Sequence, residues 1–539
     1  MFNTKKEIIS FFAPYWKKGI IPVSFLLVST VISFLYPLFP KWAIDDIVLK
    51  KNAGNLAALA MLFAVLIVVQ RLCSYLNEVT FFKFQKESIL DIQRKLLDKV
   101  FHYPMEFFDK NHSGYLMGRI RGDVAGLNFI FSEGLVMIVM DMIKFIGTFV
   151  ILLTLHVQLT LICMATLPFL VFKIVNSRSQ IKSVNKKILQ ENALVEKELS
   201  DTFQGIEVLK SHSREAEGKE RSAKALSGYQ EIEVKRNVIF SKYRNLVTLI
   251  VNIGQVFLLY FGIREVLAAR LTIGSYMAFS GYLVFLYAPI QNFSSLFLLF
   301  DFAKRSFKRL KELFNILPED SGEFEIKNIH RIEMKNLDFS YNGNGELIKD
   351  VNLRIRKGDK VLIAGDSGSG KSTLMKLLLG LYRPQKGHIL YNGRDIKEID
   401  LKELRDRIGF ISQDTFLFNK TIRENIVFGN NGISGEKVMR ILEECKMKDK
   451  ISSLDKGLDH LVCEKGNNFS GGEKQRISLA RTLIKNPDVI ILDEATANLD
   501  KKTEAEIEKI VFQKSKDKII IKISHHQDDI EGWKVLHLS

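Results

Sequence analysis

Apolar and charged positions split this chain into two unlike parts. Up to about residue 315, long apolar runs alternate with long charged ones; from about 324, short β-branched runs alternate with turn residues. Six apolar runs stand near residues 20–42, 56–82, 134–155, 159–175, 246–263 and 273–300. A membrane-crossing helix needs roughly 20 such residues, and runs this long fit the buried helices of a soluble protein poorly. The pattern predicts an all-α, six-helix transmembrane domain over 1–315.

The connections are uneven. Those at 45–55, 156–158 and 264–272 are short, whereas 83–132 and 176–245 are long, charged and helix-forming. The long pair carries most of the Lys and Arg, which places it on the cytoplasmic side together with both termini. The opening MFNTKKEIISFFAPYWKKG carries no signal-peptide cleavage pattern and reads as an amphipathic helix at the membrane surface.

Asp141 and Lys144 lie three apart within the third run, on one helix face. Each charge costs about 2.5–3.5 kcal/mol at a bilayer centre, so both are expected to face protein or water. They read as a structural pair near the cytoplasmic end of the span, or as a polar patch in a transport cavity. Gln255, Gln291 and Asn292 are weaker candidates of the same kind.

Composition fits this division. The 539 residues are too many for one core, and 47% hydrophobic content beside 26% charged residues averages two different parts. The net charge of +16 raises a nucleic-acid reading, but the cations are scattered between apolar runs, as in cytoplasmic loops, so no nucleic-acid partner is expected. Cys73, Cys163, Cys445 and Cys463 form no C-x-x-C pair, so neither a disulfide framework nor a zinc site is indicated.

The second part carries the chemistry. Val361–Ala364 reads as a buried strand, and Gly365-Asp366-Ser367-Gly368-Ser369-Gly370-Lys371-Ser372 fits G-x-x-x-x-G-K-[ST] in full, with a helix following from Thr373. The glycines let backbone N–H groups wrap phosphates, the helix N-terminus adds partial positive charge, Lys371 reaches the β- and γ-phosphates, and the Ser372 hydroxyl ligates Mg²⁺. Val489–Glu494 is an apolar strand ending in two acids. Asp493 can hold the Mg²⁺ shell and Glu494 can polarise the attacking water. Before it, Ser470-Gly471-Gly472 opens a helical pattern, a second small phosphate-binding N-terminus. Two phosphate sites far apart in one chain make sense if two chains pair head to tail, each closing its Ser-Gly-Gly turn over ATP on the other.

P-loop, SGG signature and strand-Asp-Glu, in this order and spacing, resemble an ATP-binding cassette (ABC) protein. With six spans in front, the chain resembles the B-type ABC exporter half-transporters, which move drugs, lipids or peptides. YPMEFFDKNHSGYLMGRIRGDV at 103–124 and LSDTFQGIEVLKSHSRE at 199–215 resemble their two coupling-helix regions. The resemblance implies a multidomain chain: a type IV transmembrane domain, then an α/β P-loop nucleotide-binding domain over 324–539. It assigns adenine stacking to Tyr341 and the Walker A loop to Gly365–Thr373. Gln413 becomes the Q-loop glutamine that senses Mg²⁺, and Ser470, Gly471, Gly472 and Glu473 the signature. Asp493 and Glu494 become Walker B and the catalytic carboxylate, Asp500 the D-loop, and His525 the switch histidine on the γ-phosphate.

Phe469 and Glu473 stand where Leu and Gln are commoner, and Cys463 where Gly is usual. After EGWKVLHLS the family adds a strand pair and helices, so the cassette is expected to be short at its C-terminus. The implied function is an ATP-hydrolysing exporter of an amphipathic small molecule, lipid or peptide, using ATP and Mg²⁺. The implied setting is a bacterial cell membrane and a homodimer. One half of a heterodimer, or a cassette-controlled gate or sensor, is the alternative. Every consensus catalytic position stands in this one chain, and the six spans argue against a DNA-repair or translation ATPase.

Overall fold

A computed structural model of the chain describes residues 13–538 except 51–52, 130, 132, 342–346, 367, 414, 431, 464–465, 494–500, 515–516 and 525–531. The chain divides into two compact units: Met1–Val100 with Gly114–Ile316, and Phe101–Ser113 with Leu317–Ser539.

The first unit is helical. Its main helices include α1 (Trp16–Leu35), α2 (Leu38–Trp42) and α3 (Leu56–Phe101). The short α4 (Met105–Lys110) belongs to the second unit. Then follow α5 (Glu133–Leu155), α6 (Val157–Met164), α7 (Leu167–Gln204), α8 (Ile206–Ser211), α9 (Glu215–Leu267) and α10 (Ile273–Phe314). At 1.5 Å per residue the 53 residues of α9 extend about 80 Å, far beyond a hydrocarbon core of about 30 Å. One apolar end and one charged end therefore share a single rod.

Among the described residues, Ala13–Val48, Leu56–Phe101, Val136–Leu155 and Glu215–Leu267 are long and apolar enough to cross a bilayer. Val157–Lys173 and Ile273–Ala288 are shorter apolar stretches. The fourth run is not one straight helix. It breaks at Ala165–Thr166, because Pro168 sits at the start of α7 and has no N–H to continue the ladder from α6. His156 makes the tight turn before it: its Nδ1 accepts from the Leu159 N–H at 3.2 Å and caps α6.

The core of this unit joins α5, α6, α7, α9 and α10 through Leu152, Leu159, Leu170, Leu258, Phe279 and Leu286. Its tyrosines also satisfy polar groups. Tyr282 donates to the Phe34 carbonyl at 2.6 Å, one of the orphaned acceptors at the end of α1. Tyr287 shares its hydroxyl with Thr166 Oγ1 at 2.8 Å. Gly254 makes room for it, since a Cβ there would stand 2.2 Å from Tyr287 Oη. Small residues of this kind let membrane helices approach closely. Asp123 is buried at the end of the turn at 118–123, where Arg309 Nε donates to both its oxygens at 3.0 Å and Arg119 Nη1 donates at 2.8 Å. Burial pulls the Asp123 pKa up, but the two guanidinium groups outweigh this and hold it below the ordinary carboxylate value.

The second unit is α/β. β1 (Arg331–Phe339) pairs antiparallel with β2 (Ile348–Arg356) and β4 (Lys386–Tyr391), and β5 (Arg394–Asp395) extends that sheet in the order β2-β1-β4-β5. A parallel sheet runs β6-β7-β8-β3-β9, formed by Ile408–Ile411, Val489–Asp493, Ile519–Ser524, Lys360–Gly365 and Lys534–Leu538. Strands buried on both faces of a parallel sheet read as unbroken apolar runs, as Val489-Ile490-Ile491-Leu492 does. Helices α11 (Lys371–Leu378), α12 (Gly471–Ile484) and α13 (Lys501–Lys514) serve this sheet.

Candidate nucleotide site

The site grows from β3. This strand pairs in parallel with β8 on one side and β9 on the other, so its direction is fixed from both flanks. It delivers the chain to Gly365, where a Cβ would meet the Leu538 carbonyl oxygen at 2.3 Å. Gly370 caps α11 with φ +91°, a left-handed conformation that suits glycine. The following N–H groups thereby turn toward the loop.

Lys371 is 4% exposed, and its Nζ donates to the carbonyl oxygens of Gly365 and Asp366, each at 2.8 Å. The ammonium thus lies back over the loop that would cradle phosphates. Ser372 Oγ donates to Asp493 Oδ1 at 3.1 Å. Two oxygens 121 residues apart in sequence converge there, a hard donor pair suited to Mg²⁺. Ser369 Oγ is buried without a partner among the described residues. An orphaned hydroxyl inside a loop of N–H donors, beside a buried ammonium, fits a polyanion.

Tyr341 follows β1 and donates to or accepts from Thr373 Oγ1 at 3.2 Å. Its ring stands edge-to-face with Phe339 at 5.1 Å and with Tyr382 at 5.3 Å. Gln413 is exposed in the segment after β6. Ser470 caps α12, and Gly471 has open space at its Cβ position. Ser470 Oγ accepts from the Glu473 N–H at 3.3 Å while Glu473 Oε2 accepts from the Ser470 N–H at 2.8 Å, a reciprocal capping box. That geometry gives Glu473 a local purpose in place of glutamine. Burial raises its pKa, but the Ser470 N–H and Lys450 at 3.3 Å outweigh that and hold it below its ordinary value. Phe469 is buried in the second cassette core, with Leu417 and Ile477.

The structure therefore brings Lys371, Ser372, Thr373, Tyr341 and Asp493 together. Among the described residues, the side-chain hydrogen bonds of Ser470 go to Glu473 and not to the P-loop. Ser367, Glu494, Asp500 and His525 lie outside the described residues, as do the side chains of Gln291 and Asn292. Asp141 and Lys144 are both half-buried, and the ion pairs of the described residues do not include one between them. Sequence reasoning did not single out Tyr382 and Lys376, which flank Tyr341, or Asp109, which contacts both of them; the aromatic in GLYRP, ten residues after Ser372, is the available signal.

Residues 20–290 match the ABC transporter transmembrane region and residues 348–497 the ABC transporter family. An ATP-dependent lipid A-core flippase of Syntrophus aciditrophicus is 27% identical over 531 residues, covering 98% of this chain and 88% of that protein. A putative multidrug export ATP-binding/permease protein of Bacillus subtilis is 28% identical, covering 97% and 92%. The structure of a bacterial Atm1-family ABC exporter with ATP bound superposes with a TM-score of 0.84 at 23% identity, covering 98% of this chain and 94% of that one. With its helical membrane region followed by one ATPase cassette, the chain belongs to the ABC transporter family, as a half-transporter of the exporter type.

Proposed function

We propose that the chain is an ATP-driven exporter that works as a homodimer in a bacterial cell membrane, with both termini in the cytoplasm and an amphipathic small molecule, lipid or peptide as cargo. The observation that carries this reading is the convergence of Ser372 Oγ on Asp493 beside the buried Lys371 ammonium. Relatives named for lipid and drug export support the direction and the cargo class.

ATP would displace the Lys371 ammonium from the Gly365 and Asp366 carbonyls onto its β- and γ-phosphates. Tyr341 would stack on adenine. Ser372, Asp493 and Gln413 would hold Mg²⁺, which supplies charge neutralisation between the phosphates. Glu494 takes the proton of the attacking water, and His525 donates to the γ-phosphate. The Ser470–Gly472 turn of a second copy would close on the same phosphates. The open surroundings of Gly471 support that role, because they leave room for the phosphates of a nucleotide held by another copy. Closure of two cassettes, passed to the membrane helices, would turn the cavity outward, and hydrolysis would reset it.

ATP hydrolysis by the full chain alone in lipid nanodiscs tests this. We expect turnover above a Glu494→Gln blank, with Lys371→Ala abolishing it. Turnover that survives Glu494→Gln removes the base assignment. Absence of turnover from the wild-type chain alone, restored by a second half-transporter, replaces the homodimer by a heterodimer.

A further inference from the structure

Asp109 lies in α4, outside the nucleotide loop, yet it touches the groups that hold Tyr341. The segment Phe101–Ser113 folds with the cassette. The Met105 side chain packs against the cassette core, and the His102 carbonyl accepts from the Glu319 N–H at 2.5 Å. From this anchored segment the Asp109 carboxylate accepts the hydroxyl of Tyr382. Asp109 Oδ2 also stands 3.8 Å from Lys376 Nζ.

Both partners of Asp109 bear on Tyr341. The Tyr382 ring is 6% exposed and meets the Tyr341 ring at 88°. Lys376 Nζ lies 6.0 Å from the Tyr341 centroid and 5.7 Å from that of Tyr382, within cation–π range of both. Phe339 closes the cluster at 5.1 Å and 5.6 Å from the two rings. Three edge-to-face rings in close packing have few alternative arrangements, so a shift of one is passed to the next. One carboxylate on α4 thus grips a phenol and an ammonium, and both press on the ring next to the P-loop.

We propose that Asp109, Tyr382 and Lys376 are positioning residues for base recognition: Asp109 fixes Tyr382 and Lys376, which fix the Tyr341 ring against the adenine of ATP. This rests on the reading that Tyr341 stacks on the base. The segment 101–113 is then part of the nucleotide site, and its displacement loosens the grip on the base while leaving the phosphate loop intact. A contact that merely glued the segment to the cassette would affect stability and would not distinguish base from phosphates.

The test is steady-state ATP hydrolysis by the full chain in nanodiscs, with inorganic tripolyphosphate as a competitor that lacks the base. Asp109→Asn keeps the shape and removes the charge; Tyr382→Phe keeps the ring and removes one hydroxyl. Each is expected to raise KM for ATP about three- to tenfold, the scale of a charge-assisted hydrogen bond felt one ring away. kcat at saturating ATP should stay within about twofold of wild type, because the interaction acts on binding. The inhibition constant of tripolyphosphate should not change. The double variant should match the weaker single variant, since both cut one path.

An unchanged KM in Tyr382→Phe overturns the proposal, and this variant keeps the packing if Asp109→Asn folds poorly. So does an equal loss of tripolyphosphate and ATP affinity, or a double variant with multiplied effects. Tyr341→Ala separates the underlying reading. If KM for ATP is unchanged in it, Tyr341 does not hold the base; if KM rises in Tyr341→Ala while Tyr382→Phe binds ATP normally, only the network falls.

Discussion

Ser470 has two uses that one pair of substitutions can separate. Its hydroxyl accepts from the Glu473 N–H at 3.3 Å, and Glu473 returns the bond to the Ser470 N–H at 2.8 Å. Ser470→Ala removes the first bond and leaves the second. Loss of a serine N-cap costs about 1 kcal/mol, so opening of the first turn of α12 becomes easier by that amount. With 1.4 kcal/mol per factor of ten, amide exchange at Glu473 should accelerate about fivefold. Ser470→Asp keeps an accepting oxygen at the cap and adds a charge that the helix N-terminus favours. Exchange there should remain within about twofold of wild type. Turnover should behave in the opposite way. A carboxylate facing the phosphates of another copy removes a donor and adds repulsion, so ATP hydrolysis should fall at least about a hundredfold, the loss typical of one missing transition-state donor. Hydrogen exchange by mass spectrometry and ATP hydrolysis, both on the full chain in nanodiscs, read the two roles apart. Normal hydrolysis in Ser470→Asp refutes the phosphate role. Equal exchange in the Ala and Asp variants refutes the capping role.

Three further outcomes follow from the geometry. Asp123→Asn leaves Arg309 and Arg119 without their carboxylate and should cost about 3 kcal/mol, the low end for a broken buried pair because Arg309 is 35% exposed; thermal melting in detergent reads it, and Arg309→Leu in the same chain should recover part of the loss. Gly254→Ala puts a methyl 2.2 Å from Tyr287 Oη, so it should destabilise the helical unit by about 1–3 kcal/mol, and Tyr287→Phe should relieve part of this. Glu473 has its folded pKa below the unfolded value, so its capping contribution is full above the ordinary carboxylate range near 4.5 and is lost as pH falls through the folded value. Exchange in the first turn of α12, corrected for the intrinsic rate, should stay flat from neutral pH to about 5 and rise below it, and Glu473→Gln should remove the dependence.

The sequence made the P-loop legible because its requirements are local. An apolar strand, glycines at fixed offsets and a helix start are all written within about 20 residues of Lys371. The Val489–Asp493 strand was legible for the same reason, and four of the six apolar runs because bilayer thickness sets the length of a spanning helix, whereas those near 159–175 and 273–300 fall in shorter apolar stretches among the described residues. What escaped was set by distant partners. The break at Ala165–Thr166 carries a signal in Pro168, but an apolar run masks it. The box between Ser470 and Glu473 has a recognised spacing, yet its neighbourhood reads first as a phosphate-binding turn. Nothing local to Asp109 says that its carboxylate meets Tyr382, 273 residues away. That contact exists because Met105 and His102 carry the segment onto the cassette, which is a tertiary fact.

The backbone passes between the two compact units three times, after Val100, after Ser113 and after Ile316. A protease nick after Ile316 would therefore leave 101–113 still seated on the severed cassette, and the two pieces should purify together. The same count governs how such proteins can be recombined. A graft of 317–539 onto another exporter's membrane region leaves Met105 and Asp109 behind and replaces the partners of Tyr382 and Lys376 with a stranger's. The exchangeable module of this chain is discontinuous, and a working chimera has to carry residues 101–113 along with the cassette.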